Sequence, residues 1–176
     1  MVTTNEFSHV VKLDEIGAGA ANVNIFADAD ARAGLAARFG LAALDELKAN
    51  LALSRNAQGV LTTGRFRAVL TQYCVATGDP VPTVLDEPMT IRFVREPAVG
   101  ADSEIELQAD ECDTMFYDGQ SVDLGEAVAQ SLGLELDPYP RSHGAQERLK
   151  AAGVKAEDEV GPFGALAGIK DMLAKK

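Results

Sequence analysis

The sequence predicts an α+β fold: an antiparallel β-sheet meander, open or curling towards a barrel, with two or three short helices and a C-terminal tail. Three observations predict it. Apolar residues recur with a period of two from Asp45 to Val94, interrupted only by turn signals. Two short helical stretches are each opened by an aspartate and followed by a glycine. The chain has 176 residues, 47% of them hydrophobic, which is enough for one buried core; with no Trp, aliphatic side chains must fill it.

Taken in order, Phe7 to Leu13 alternates weakly, and Val10, Val11 and Leu13 suit a first strand. Val23, Ile25 and Phe26 form a second apolar run. Asp28 or Asp30 can then cap a helix by accepting from its free amides. Leu35 and Phe39 lie one turn apart on its buried face, and Gly40 supplies a left-handed stop. In the next strand Leu47, Ala49, Leu51 and Leu53 face one way and Lys48, Asn50, Ala52 and Ser54 the other. Asn56 to Gly59 is a turn, and Val60 to Cys74 a long strand. There Phe66, Ala68 and Leu70 oppose Arg65, Arg67, Thr71 and Tyr73, and Gly64 could permit a bulge.

Thr77 to Pro80 turns the chain again, and Val81 to Val94 continues as strand. Pro82 and Pro88 cannot donate ladder hydrogen bonds, so this strand is expected at an edge or to be irregular. After a loop at Pro97 to Ser103, Glu104 to Gln108 and Thr114 to Tyr117 are short strand candidates. Asp123 with Glu126 fits a capping box, with Val122 and Ala127 as its staple; Leu124, Val128 and Leu132 share a helical face before Gly133. Pro138 and Pro140 end regular structure. The expected organisation is a domain over 1–140, a polar linker over 141–160 with at most a helical turn, and an amphipathic tail over 161–176, docked or partner-binding.

Charge is unevenly placed. The formal net charge is −11, and between Arg95 and Arg141 there is no Lys or Arg. That interval holds 12 of the 27 acids, leaving 15 acids against 16 bases elsewhere. Such a block is either a solvated face or a surface for a basic partner, carried by Glu104, Glu106, Asp110, Glu111, Asp113 and Asp118. It is the wrong sign for gripping phosphates. Cys74 and Cys112 lie far apart, the stretch from Met1 to Leu13 is polar, and no run approaches a membrane span of ~20 apolar residues. The expectation is a cytoplasmic protein with two free thiols and no membrane association.

No catalytic constellation is visible. Cys74 lacks a C-x-x-C partner, and His9 and His143 are remote in sequence, so no metal site is expected. Gly17-Ala18-Gly19-Ala20 is not followed by Lys-Ser/Thr, and no G-x-S-x-G elbow occurs. Asp110, Glu111 and Asp113 are near enough in sequence for acid–base work or a hard cation, which keeps a small-enzyme or cation-binding reading open. Arg65, Arg67 and Tyr73 on one strand face, extended by Arg92, offer cations and a stacking ring for direct RNA contact.

Several segments resemble the YceD family in its alphaproteobacterial form. They are Phe66 to Val81, with its cysteine and Pro-Val turn; Tyr117 to Glu126; Leu134 to Arg141; and Gly161-Pro162-Phe163-Gly164-Ala165-Leu166. Many members carry C-x-x-C where Cys74 and Thr77 stand, and some carry further cysteines near Ser142 and His143, so this chain inherits no zinc hypothesis. The resemblance implies a bacterial, non-enzymatic ribosome-biogenesis factor without cofactor, supporting processing or accumulation of large-subunit ribosomal RNA. Its expected partner is a basic large-subunit ribosomal protein or a pre-ribosomal particle, with RNA contact secondary.

Overall fold

The computed structural model describes residues 5–16, 21–96, 113–117 and 119–154. They fall into two compact units: Met1–Gln72 with Pro82–Pro138, and Tyr73–Val81 with Tyr139–Lys176. The fold is α+β, built on an open five-stranded sheet that is not closed into a barrel. The elements are β1 (Val10–Lys12), β2 (Ala21–Phe26), α1 (Ala29–Phe39), β3 (Ala43–Asn56), β4 (Gly59–Tyr73), β5 (Pro80–Arg95), β6 (Asp113–Tyr117), β7 (Ser121–Asp123), α2 (Leu124–Glu135) and α3 (Ala145–Ala151).

The large sheet runs β2-β3-β4-β5-β6, and β1 pairs separately with β7. β3 and β4 are antiparallel over nearly their whole length, from Ala43↔Thr71 to Asn56↔Gly59. Their alternation is the expected one: Leu47, Ala49, Leu51 and Leu53 of β3 and Phe66, Ala68 and Leu70 of β4 are buried. Together with Leu35 of α1 and Leu124, Val128 and Leu132 of α2, they form one hydrophobic cluster on the inward side of the sheet. Burying such aliphatic and aromatic side chains contributes about 1.5–3 kcal/mol each before entropy is counted.

Three expectations are corrected. The meander does not continue to the last strand, because β6 lies parallel to β5, with Ile91↔Asp113 through Arg95↔Tyr117 in register. Parallel neighbours need a long connection, and the chain between Arg95 and Asp113 supplies it. The β3–β4 irregularity falls between Leu44 and Glu46, not at Gly64, which pairs in register with Leu51. β5 lies between β4 and β6, and its prolines at 82 and 88 fall where the expectation allows them, in the half that β6 does not pair. Finally, α2 runs through Gly133 to Glu135. A Cβ at 133 would sit 2.9 Å from Phe39 Cε1, so this glycine serves close packing and not helix termination. Gly40, by contrast, is the predicted stop, with φ of 64° and its N–H returning to Ala36 and Ala37.

The segment before β2 is tied down by a few polar groups. Asp123 caps α2 by accepting from Gly125 N and Glu126 N, and also accepts from His9 N, Ser8 Oγ and Asn5 Nδ2. Burial pushes its carboxyl up, but the bonds from Ser8, His9, Glu126 and Asn5 hold it below the usual range. Glu126 does not close the expected capping box; it pairs with Arg38 of α1 at 2.8 Å, and Arg38 also reaches Glu6 at 3.4 Å. Phe7, Leu13 and Ile16 are buried behind these contacts.

Among the described residues, Thr62 Oγ1 is the single buried side-chain polar atom without a hydrogen-bond partner. It faces inward from β4, in register with Leu53. Thr62→Val should therefore stabilise the protein by about 1 kcal/mol, since it removes an unsatisfied hydroxyl at nearly constant shape. Urea denaturation reads this directly, and a loss of stability would mean that the hydroxyl has a partner after all.

Candidate functional site

The outward side of the five-stranded sheet is set by the same alternation that fills the core. Phe26 of β2 pairs with Lys48 of β3, which pairs with Arg67 of β4. Two residues along, Asn24 pairs with Asn50, which pairs with Arg65. Paired residues of adjacent strands point to the same side, so these are two adjacent cross-strand rows, ~7 Å apart at the rise of a strand. Phe26 is 77% exposed. The side chains of Lys48, Arg65 and Arg67 are 49%, 57% and 41% exposed.

Two carboxylates hold these cations in place. Glu46 Oε1 lies 3.1 Å from Lys48 Nζ and 3.0 Å from Arg67 Nε. Lys48 first, and Arg67 with it, keeps the Glu46 carboxyl below its ordinary range. Asp86 of β5 accepts from Arg65 through Oδ1 and through its backbone carbonyl. Exposed pairs of this kind contribute ~0–1 kcal/mol, so they orient the guanidinium groups without withdrawing them from other anions.

The predicted RNA-contact residues are thus only partly brought together. Arg65 and Arg67 share the patch just described. Arg92 is on the same side of the sheet but donates to Gln58 in the β3–β4 turn. It lies ~20 Å along β5 from Asp86, the partner of Arg65. Tyr73 ends β4, is 55% exposed and belongs to the second unit. Sequence reasoning missed Phe26, Lys48, Asn24 and Asn50 as neighbours of the arginines. The alternation of Asn22 and Asn24 with Val23 and Ile25 was the available signal for β2, but register between strands is not written in any one of them.

Of the acidic residues expected to bind a partner, Asp113 is exposed at the start of β6, an edge of the sheet. Glu104, Glu106, Asp110, Glu111 and Asp118 lie outside the described residues. The proposed acid–base cluster falls there too, apart from Asp113.

The second unit gathers polar groups around one thiol. Cys74 is free and 3% exposed. The Thr77 hydroxyl first, then the Ser142 backbone, lower its pKa to about 6. Thr77 Oγ1 donates to Asp79 Oδ2 at 2.8 Å, and Arg148 Nη1 reaches the same carboxylate at 3.2 Å. The Thr77 bond first, and Arg148, hold Asp79 below the usual carboxylate range. Val75 N donates to Pro140 O, which joins the two chain segments of this unit. α3 lies in the stretch expected as a polar linker. The tail over 161–176 is outside the described residues. Among the described residues, no group of three or more His, Cys, Asp and Glu could hold a metal ion, and no helix is long and apolar enough to cross a membrane.

A family model described as "Large ribosomal RNA subunit accumulation protein YceD" matches residues 62–170. No curated protein and no solved structure matches the chain. The match begins within β4 and takes in Cys74, Thr77 and Ser142; Phe26, Lys48 and the segment Asn5 to His9 that Asp123 holds precede it.

Proposed function

The chain belongs to the YceD family, whose name ties it to accumulation of the large ribosomal RNA subunit, and from that premise we propose that it acts in the cytoplasm as a non-enzymatic ribosome-biogenesis factor. It binds a basic large-subunit ribosomal protein through the acidic interval and so protects or presents that protein during assembly. The observation behind this reading is charge segregation: no Lys or Arg stands between Arg95 and Arg141, while the rest of the chain is nearly neutral. A surface of one sign concentrates partners of the other and speeds their encounter, with a strong dependence on ionic strength. What supports a non-catalytic role is a sequence with neither a G-x-S-x-G elbow nor a phosphate loop.

Depletion of the protein in its host, followed by the ratio of large- to small-subunit ribosomal RNA, tests the role. A selective fall in the large-subunit RNA is expected, and an unchanged ratio would overturn it. The mechanism is tested by capture of large-subunit proteins at physiological salt. Replacing Glu104, Glu106, Asp110 and Glu111 together by Gln or Asn should abolish capture; undiminished capture would move the contact elsewhere.

A further inference from the structure

We propose that the outward sheet face around Phe26, Lys48, Arg65 and Arg67 is a contact site for single-stranded RNA. Charge complementarity carries the choice of partner. Among the described residues of the first unit, the outward face carries Lys48, Arg65, Arg67 and Arg92 against Glu46, Asp86 and Asp45 of the β-bulge. The remaining described residues of that unit carry 5 cations and 12 carboxylates. This side of the first unit therefore carries one net positive charge among its described residues, and it is the side to which neither α1 nor α2 contributes its buried face. A protein of net charge −11 repels nucleic acid over most of its surface, so a polyanion can be held only where the field reverses.

The chemistry of the patch selects a single strand over a duplex. Phe26 is an exposed ring in the same cross-strand row as Lys48 and Arg67, so a base can stack on it while its phosphates meet the cations. Such stacking requires an unpaired base with a free face. The Asn24–Asn50 pair in the next row presents amide donors and acceptors that can meet base edges. This site differs from the acidic interval, and the two would hold RNA and a basic protein on separate parts of the chain. The inference rests on the family's ribosomal role only in naming RNA as the polyanion.

The test is fluorescence anisotropy of a fluorescein-labelled 12-nucleotide oligouridylate titrated with the full chain over a range of salt concentrations. Three phosphate contacts give a slope of log K against log salt of about −2 for a single strand. Arg65→Ala with Arg67→Ala should weaken binding about tenfold or more and flatten that slope by about 1.4. Phe26→Ala should weaken binding at least ~5-fold with the slope unchanged, the signature of lost stacking. All three side chains are exposed, and a matching thermal melt checks that each variant is folded. Absence of wild-type binding at 50 mM salt, tighter binding of an oligouridylate–oligoadenylate duplex, or equal binding by wild type and both variants would each overturn the proposal. The ribosomal RNA ratio on depletion is read separately, so failure at this face leaves the biogenesis role standing.

Discussion

Gly125→Ala is expected to destabilise the protein by about 3 kcal/mol, although alanine is the better helix former. A Cβ at position 125 would lie 2.7 Å from His9 N, 2.7 Å from Phe7 O and 2.8 Å from the Ser8 carbonyl carbon. All three are backbone atoms, so no side-chain rotation relieves the overlap. The segment from Phe7 to His9 must back away from α2, which loosens the buried Phe7 and the β1–β7 pairing. Gly144→Ala is the matched control, because a Cβ there meets nothing within 4 Å. Urea melts should show a much smaller loss in the control, below about 1 kcal/mol, which comes only from alanine being a poorer N-cap of α3 than glycine. Equal effects would show that the close approach at Gly125 is not maintained in solution.

Asp123→Ala is expected to cost about 3 kcal/mol, from a lost helix cap and from charge-assisted bonds to Ser8, His9 and Asn5. The same residue gives stability a pH dependence whose sign is fixed. Its folded pKa is depressed, so the folded state binds that proton more weakly than the unfolded chain. The contribution is complete above the unfolded carboxylate range of ~4 and is lost as pH falls through the lower, folded value. Glu126, held low by Arg38, acts in the same direction. The stability of wild type should thus fall steeply below about pH 4. Asp123→Asn, which keeps an acceptor but not the charge, should show a shallower acid limb. Parallel acid limbs in wild type and Asp123→Asn would assign the dependence to other carboxylates.

These two residues show what could and could not be seen in advance. Asp123 as a helix cap is a local pattern, since a short acceptor three positions before Glu126 can satisfy the first free amides. That the same carboxylate also holds His9 is not local, because nothing in either segment names the other. Gly125 and Gly133 likewise look like weak points of a helix until the elements that press against them are known. The burial alternation of β3 and β4 was legible because a period of two survives over many residues. The direction of β6 was not, since a short strand reads the same whether its neighbour is parallel or antiparallel. At the candidate site, Arg65 and Arg67 were visible as one face of one strand. Their grouping with Lys48 and Phe26 depends on the registers of two pairings, whereas Glu46 shares their side simply as the residue two before Lys48, in unbroken register with it.

The bond from His9 N to Asp123 closes a loop of 114 residues. On a ribosome adding ~5–20 residues per second, the far side of that loop emerges roughly 6–23 s after the near side. The large sheet from β2 to β5 involves much shorter separations and can assemble first. Until α2 is synthesised, Phe7, Leu13 and Ile16 have no α2 to pack against. The amino-terminal contacts to Asp123 are therefore among the later joints of this unit to form during synthesis, and they stay open if translation stalls before position 123.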